Sequence, residues 1–223
     1  MIADEASAEL ADIRRKIRAA NNRIKDTLQG YIGGARLKYL QENLVTMRNG
    51  RYVVPVKSEY ISDHKMHTEP FEVTLSFLEK LCSLEEDQKV ISVGTTSTRT
   101  LESLYFIGVQ CIENGKPGPV EQWEPYKKEY PYTMKEAIGA IVAYLKENNM
   151  DKLVARTGII IVPSYKFRVV DMLVTNFHQP QSTLLLLISA FIGGEKWKDV
   201  YKYAMDNGFR FLSYGDSSLL FRG

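Results

Sequence analysis

Two stretches of this chain repeat one pattern. In "KVISVGTTSTRTLESLYF" (89–106) and "MLVTNFHQPQSTLLLLISAF" (172–191), an apolar, β-branched run passes through a short polar turn directly into a helical sequence. A strand that is apolar on both faces needs cover on both. Helices alternating with such strands supply it, and the result is an α/β layered domain.

The rest of 61–223 fits that frame. "FEVTLSFLEKL" (71–81) reads as a strand running into a helix, and 134–148 and 195–207 as amphipathic helices. "GIIIVP" (158–163) reads as a buried strand, "GKPGPVEQWEPY" (115–126) as loop, and "FRFLSYGDSSLLF" (209–221) as a closing strand and loop. After Val93 the helix is expected to start near Ser97 or Thr98, and after Pro180 at a cap of Ser182 or Thr183. The fold class is therefore α/β, a mixed sheet flanked by helices, with an appended N-terminal helical segment.

That appended segment is residues 1–60, and the expected boundary lies near Tyr60. Leu10, Ile13, Ile17, Ala20, Ile24 and Leu28 recur at spacings of three and four, so 6–32 reads as one amphipathic helix. "NGRYVVPV" (49–56) follows as a turn and a β-branched run. Residues 1–60 hold 11 Lys/Arg against 7 Asp/Glu, and the remainder 18 against 20. A nucleic-acid partner of the C-terminal part must therefore meet a local patch rather than a basic field.

With 44% hydrophobic and 25% charged residues, a packed core is expected. Cys82 and Cys111 form no CxxC motif, which fits small core residues in a reducing cytoplasm. The longest strongly apolar run, 184–192, is shorter than the roughly 20 residues that cross a bilayer.

Four clusters carry chemistry. At 93–100, "VGTTSTRT" puts Thr95, Thr96, Ser97 and Arg99 where a strand gives way to a helix. Unpaired backbone N–H groups there suit a phosphate or carboxylate, and a plain capped turn is the competing reading. At 174–183, Thr175, Asn176, His178, Ser182 and Thr183 form a second such corner. "DHKMHTE" (63–69) holds His64, His67 and Glu69, in which an imidazole can carry a proton and a carboxylate can orient it. Too few further ligands accompany them for a metal site, so none is expected. Finally "YKFRVVD" (165–171) mixes Tyr165, Lys166 and Arg168 as nucleic-acid surfaces do, or forms a strand with a basic edge.

In their order, "DHKMHTE", "SVGTTSTRTLES", "YKFRVVDMLVTNFHQPQSTLLLLISAF" and "FLSYGDSSLL" resemble the S-adenosylmethionine:tRNA ribosyltransferase-isomerase family of the queuosine pathway over 61–223. The resemblance implies transfer and isomerisation of the ribosyl group of S-adenosylmethionine onto 7-aminomethyl-7-deazaguanine at the tRNA wobble position, giving epoxyqueuosine. S-adenosylmethionine is then a co-substrate, and no metal is implied. His64, His67, Glu69 and His178 become catalytic candidates. Thr95, Thr96, Ser97, Arg99, Glu102, Tyr165, Lys166, Arg168, Thr175, Asn176, Phe177, Ser182 and Thr183 become substrate-binding candidates.

The family pattern "YPGYKF" reads "VPSYKF" here, with Ser164 in place of glycine, and "GDSS" stands where "GDAM" is more common. Family members are also longer, with an inserted β-barrel ahead of the histidine stretch. Residues 1–60 instead resemble the core and lever region of bacterial MutS-like endonuclease/ATPase paralogues, without a Walker A motif. A non-catalytic chain, binding nucleic acid or forming a coiled coil through 1–60, is the alternative function.

Overall fold

The computed structural model describes residues 66–178, 182–212 and 215–223. The expected helix over 6–32, the "NGRYVVPV" turn, His64 and Pro180 lie outside these residues.

The chain enters β1 (Glu69–Thr74) and turns at once into α1 (Leu75–Cys82), because Thr74 takes an extended conformation and its hydroxyl accepts the Phe77 N–H. β2 (Ile91–Val93) leads into α2 (Thr95–Asn114), and a single 3-10 turn spans Glu124–Tyr126. α3 (Met134–Glu147) begins at a reciprocal capping box between Thr133 and Glu136. β3 (Lys152–Thr157), β4 (Met172–Asn176), α4 (Thr183–Ile192), α5 (Lys196–Asp206) and β5 (Ser217–Phe221) complete the order.

The strands form two sheets. β1 pairs antiparallel with β3, with Glu69 opposite Thr157. In the second, mixed sheet β4 is central, with β2 parallel on one side and β5 antiparallel on the other. The α/β class with helices against a mixed sheet is thus observed, divided into two small sheets.

α2 is the spine. Twenty residues make it about 30 Å long, and Leu104, Tyr105 and Ile107 are completely buried. Burying each such side chain contributes roughly 1.5–3 kcal/mol. α2 lies against α3 so closely at Gly108 that a Cβ there would stand 2.1 Å from the Ala137 carbonyl oxygen.

Three sequence expectations need correction. α2 starts at Thr95, two or three residues earlier than expected, because Gly94 (φ 85°) makes the turn alone and its carbonyl accepts the Thr98 N–H at 3.1 Å. Residues 158–163 are buried at Gly158–Ile161 but are not a strand. Their N–H groups instead meet the 120–122 loop, Gly158 on the Val120 carbonyl and Ile160 on that of Gln122. Residues 165–171 are not a strand with a basic edge either; they form a loop gripped by Glu102.

Candidate active site

β2 and β4 run parallel and side by side, so their two carboxyl ends open at the same place. Val93 stands opposite Val174, and the Gly94 N–H donates to the Val174 carbonyl at 2.8 Å. The corner holding Thr95, Thr96 and Ser97 therefore adjoins the corner holding Thr175 and Asn176. This is where open α/β sheets bind ligands.

The first corner is a bare helix start. Gly94 supplies no side chain, and no side chain caps α2 among the described residues, so the first-turn N–H groups of Thr95, Thr96 and Ser97 point out with the positive end of the helix dipole. The Thr98 hydroxyl is engaged inward, donating to Ser92 Oγ at 2.9 Å. Thr95 and Ser97 are buried, and Thr96 is half-buried.

Arg99, on the next turn, is only 6% exposed. Its Nε donates to the Ile159 carbonyl and its Nη1 to Glu69 Oε1, each at 2.9 Å. The ion pair ties the start of β1, two residues after His67, to the start of α2. Two buried atoms of the pair, Arg99 Nη2 and Glu69 Oε2, have no partner among the described residues. His67 itself is exposed and lies ahead of β1 in no regular element.

The second corner is built around His178. Its backbone N–H donates to the Tyr201 hydroxyl at 3.0 Å, and its Nε2 shares a 2.9 Å hydrogen bond with Thr175 Oγ1. Burial lowers the imidazole pKa below its ordinary value, which favours the neutral ring. Asn176 Nδ2 donates to the Gly215 carbonyl at 3.1 Å. Ser182 caps α4 by accepting the Leu184 N–H, and Phe177 is buried among Tyr201, Phe209 and Phe211. Thr183 is the first residue of α4.

Glu102 serves a different purpose from the corners. Completely buried on α2, it accepts the Tyr165 hydroxyl and the N–H groups of Arg168, Val169 and Val170, at 2.8–3.0 Å. Desolvation pushes its carboxyl upward, and the four donors oppose that shift. The result is a clamp on the 165–170 loop. Lys166 pairs with Glu129 at the surface.

That loop borders a cleft of about 360 Å³ whose other walls include Pro125 and Tyr126, read from the sequence as loop, and Lys128, Glu129 and Tyr130, which carried no reading. The alternation of tyrosine, lysine and proline in "EPYKKEYPY" (124–132) is the sequence signal that could have found it. The thiols offer no chemistry here, since burial raises Cys82 and pushes Cys111 up to about 11. Among the described residues no group of three or more His, Cys, Asp or Glu could hold a metal ion, and no helix is long and apolar enough to cross a membrane.

Residues 38–220 match the family described as queuosine biosynthesis protein. The chain belongs to the queuosine biosynthesis protein family. The match begins ahead of Tyr60 and takes in the last part of the 1–60 segment. Among relatives of this family, an S-adenosylmethionine:tRNA ribosyltransferase-isomerase of Agrobacterium fabrum is 36% identical over 82% of this chain and 40% of its own length. Another from Brucella anthropi is 38% identical over 84% of this chain and 41% of its own. A solved S-adenosylmethionine tRNA ribosyltransferase from Thermotoga maritima is 29% identical, with a TM-score of 0.46 over 68% of this chain and 40% of that one. The chain thus spans about 40% of the length of the curated relatives it matches.

Proposed function

We propose that this chain takes part in transferring and isomerising the ribosyl group of S-adenosylmethionine onto 7-aminomethyl-7-deazaguanine at the wobble position of tRNA, in the cytoplasm, yielding epoxyqueuosine. Family membership and the named activity of relatives 36–38% identical support the reaction class. The observation that carries it to particular residues is the adjacency of the two polar corners, locked by the hydrogen bond from Gly94 to Val174.

The unpartnered atoms suit the co-substrate. A guanidinium N–H at Arg99 Nη2 fits the methionine carboxylate, and a carboxylate oxygen at Glu69 Oε2 fits a ribose hydroxyl. The bare N–H groups of Thr95–Ser97 favour the same anion. S-adenosylmethionine supplies the sulfonium that acidifies the neighbouring carbon. His178, held neutral by burial and oriented by Thr175 and Tyr201, is the described group suited to accept that proton. His64 and His67 remain candidates to donate one to the departing base.

Single-turnover conversion of precursor-bearing tRNA by the purified chain tests the reading. Adenine and methionine are expected to appear with the modified nucleoside, and His178→Ala is expected to slow the step by about a hundredfold. Full turnover in His178→Ala removes that residue from the mechanism.

A further inference from the structure

The cleft beside the 165–170 loop lies away from the start of α2. Arg99 and Phe106, which lines the cleft, are separated by about 10 Å along the helix axis. Among the described residues, neither the two corners nor His67 or His178 lines it.

Its walls are aromatic and fixed. The rings of Tyr126 and Tyr165 are 6.2 Å apart between centroids, and those of Phe106 and Tyr130 5.2 Å. Every tyrosine hydroxyl is engaged inward: Tyr126 on the Ile160 carbonyl, Tyr130 on that of Glu124, Tyr165 on Glu102. Burial holds these phenols protonated, with Tyr126 and Tyr130 pushed up to about 12, so the walls bring no negative charge. Tyr126 is half-buried and is the ring left to meet a ligand, while Phe106, Tyr130 and Tyr165 are nearly covered and back it.

The rim is cationic. Lys128, Lys166 and Arg168 face one lining carboxylate, Glu129. Lys128 and Lys166 hold exposed ion pairs with Glu113 and Glu129, of the kind that contributes little and exchanges readily. Arg168 differs. Its guanidinium lies 5.1 Å from the centre of the Tyr105 ring, and no carboxylate pairs with it among the described residues. Glu102 fixes its backbone through the 2.9 Å hydrogen bond from the Arg168 N–H. A preset guanidinium beside aromatic walls, in a volume within the range of small-ligand sites, matches a nucleobase and its phosphate.

The geometry points to a nucleotide subsite in this cleft, which takes one nucleotide of a single-stranded RNA segment or a free nucleotide, with the base against the Tyr126 ring and the phosphate on Arg168. The RNA source rests on the proposed function, and the subsite does not.

The test uses the full chain and three probes: a labelled single-stranded oligoribonucleotide of about ten nucleotides, AMP, and inorganic phosphate. Fluorescence anisotropy is expected to show oligonucleotide binding weakened about tenfold in Arg168→Ala and a few-fold in the exposed Lys166→Glu, with the salt slope reduced by about one for each. Oligonucleotide binding tighter than AMP assigns the subsite to RNA. Equal binding assigns it to a free nucleotide. Phosphate competing as well as AMP, or both variants folded and binding like the parent chain, overturns the subsite. A separate titration with S-adenosylmethionine keeps the two readings apart. Absence of its heat with nucleotide binding intact counts against the proposed function alone, and the reverse result against the cleft alone.

Discussion

Arg99 and Glu69 stand 2.9 Å apart in an ion pair, yet each has a buried atom, Nη2 and Oε2, with no partner among the described residues. The two members are unequal. The Arg99 side chain is 7% exposed and that of Glu69 30%. Breaking a buried pair is costly where a charge stays buried, and milder where water reaches the site.

Glu69→Gln therefore leaves the buried guanidinium without a counter-charge and is expected to cost about 3 kcal/mol. Arg99→Ala leaves a carboxylate that water reaches and is expected to cost about 2 kcal/mol, part of it from the Ile159 carbonyl that loses its donor. Thermal unfolding followed by circular dichroism checks the order. Equal losses for the two would mean that the pair does not distinguish a buried from a wet partner.

Ser164 takes φ 87°, a backbone region that favours glycine, at the rim of the cleft. The family pattern has glycine at this position. Ser164→Gly should relieve about 1 kcal/mol of strain and raise the melting temperature by roughly 2–4 °C. A lower melting temperature would show that Ser164 is held by contacts worth more than the strain.

Gly108 has no such freedom. Its Cβ position falls 2.1 Å from the Ala137 carbonyl, which is backbone and cannot rotate away. Gly108→Ala must push α2 from α3, and we expect a loss of about 3 kcal/mol. Denaturant unfolding measures it; a change near zero would contradict the close packing.

His178 makes stability depend on pH. Burial depresses its folded-state pKa, so below about 6.5 the unfolded imidazole takes up a proton that the folded one resists. Its contribution is complete above about 6.5 and is lost as pH falls through the depressed folded value. The acid limb of the single-turnover rate is expected to lie at the same depressed value. His178→Asn should flatten the stability profile across that window, and an unchanged profile would assign the effect elsewhere.

The helices were legible from periodicity, as at 134–148 for α3, and from a cap at Ser182 or Thr183 for α4. The start of α2 was misplaced because its hydroxyl residues look like caps, whereas Gly94 makes the turn and Thr95–Ser97 are already helical. Residues 158–161 have the composition of a strand, but their hydrogen bonds go to a loop about forty residues earlier in the chain, and periodicity carries no record of that. The two polar corners were visible as motifs. Their adjacency depended on β2 and β4 being parallel neighbours. The Glu102 clamp stayed hidden because a glutamate on an apolar helix reads the same whether it faces water or three backbone N–H groups.

Isothermal titration of S-adenosylmethionine into the parent chain and into Arg99→Lys tests the shared corner most directly. Lysine keeps the charge but loses the forked donors. Saturable heat in the parent, weakened about tenfold or more in Arg99→Lys, is the predicted result. No heat in the parent, or equal affinity in both proteins, would contradict a binding site at the start of α2.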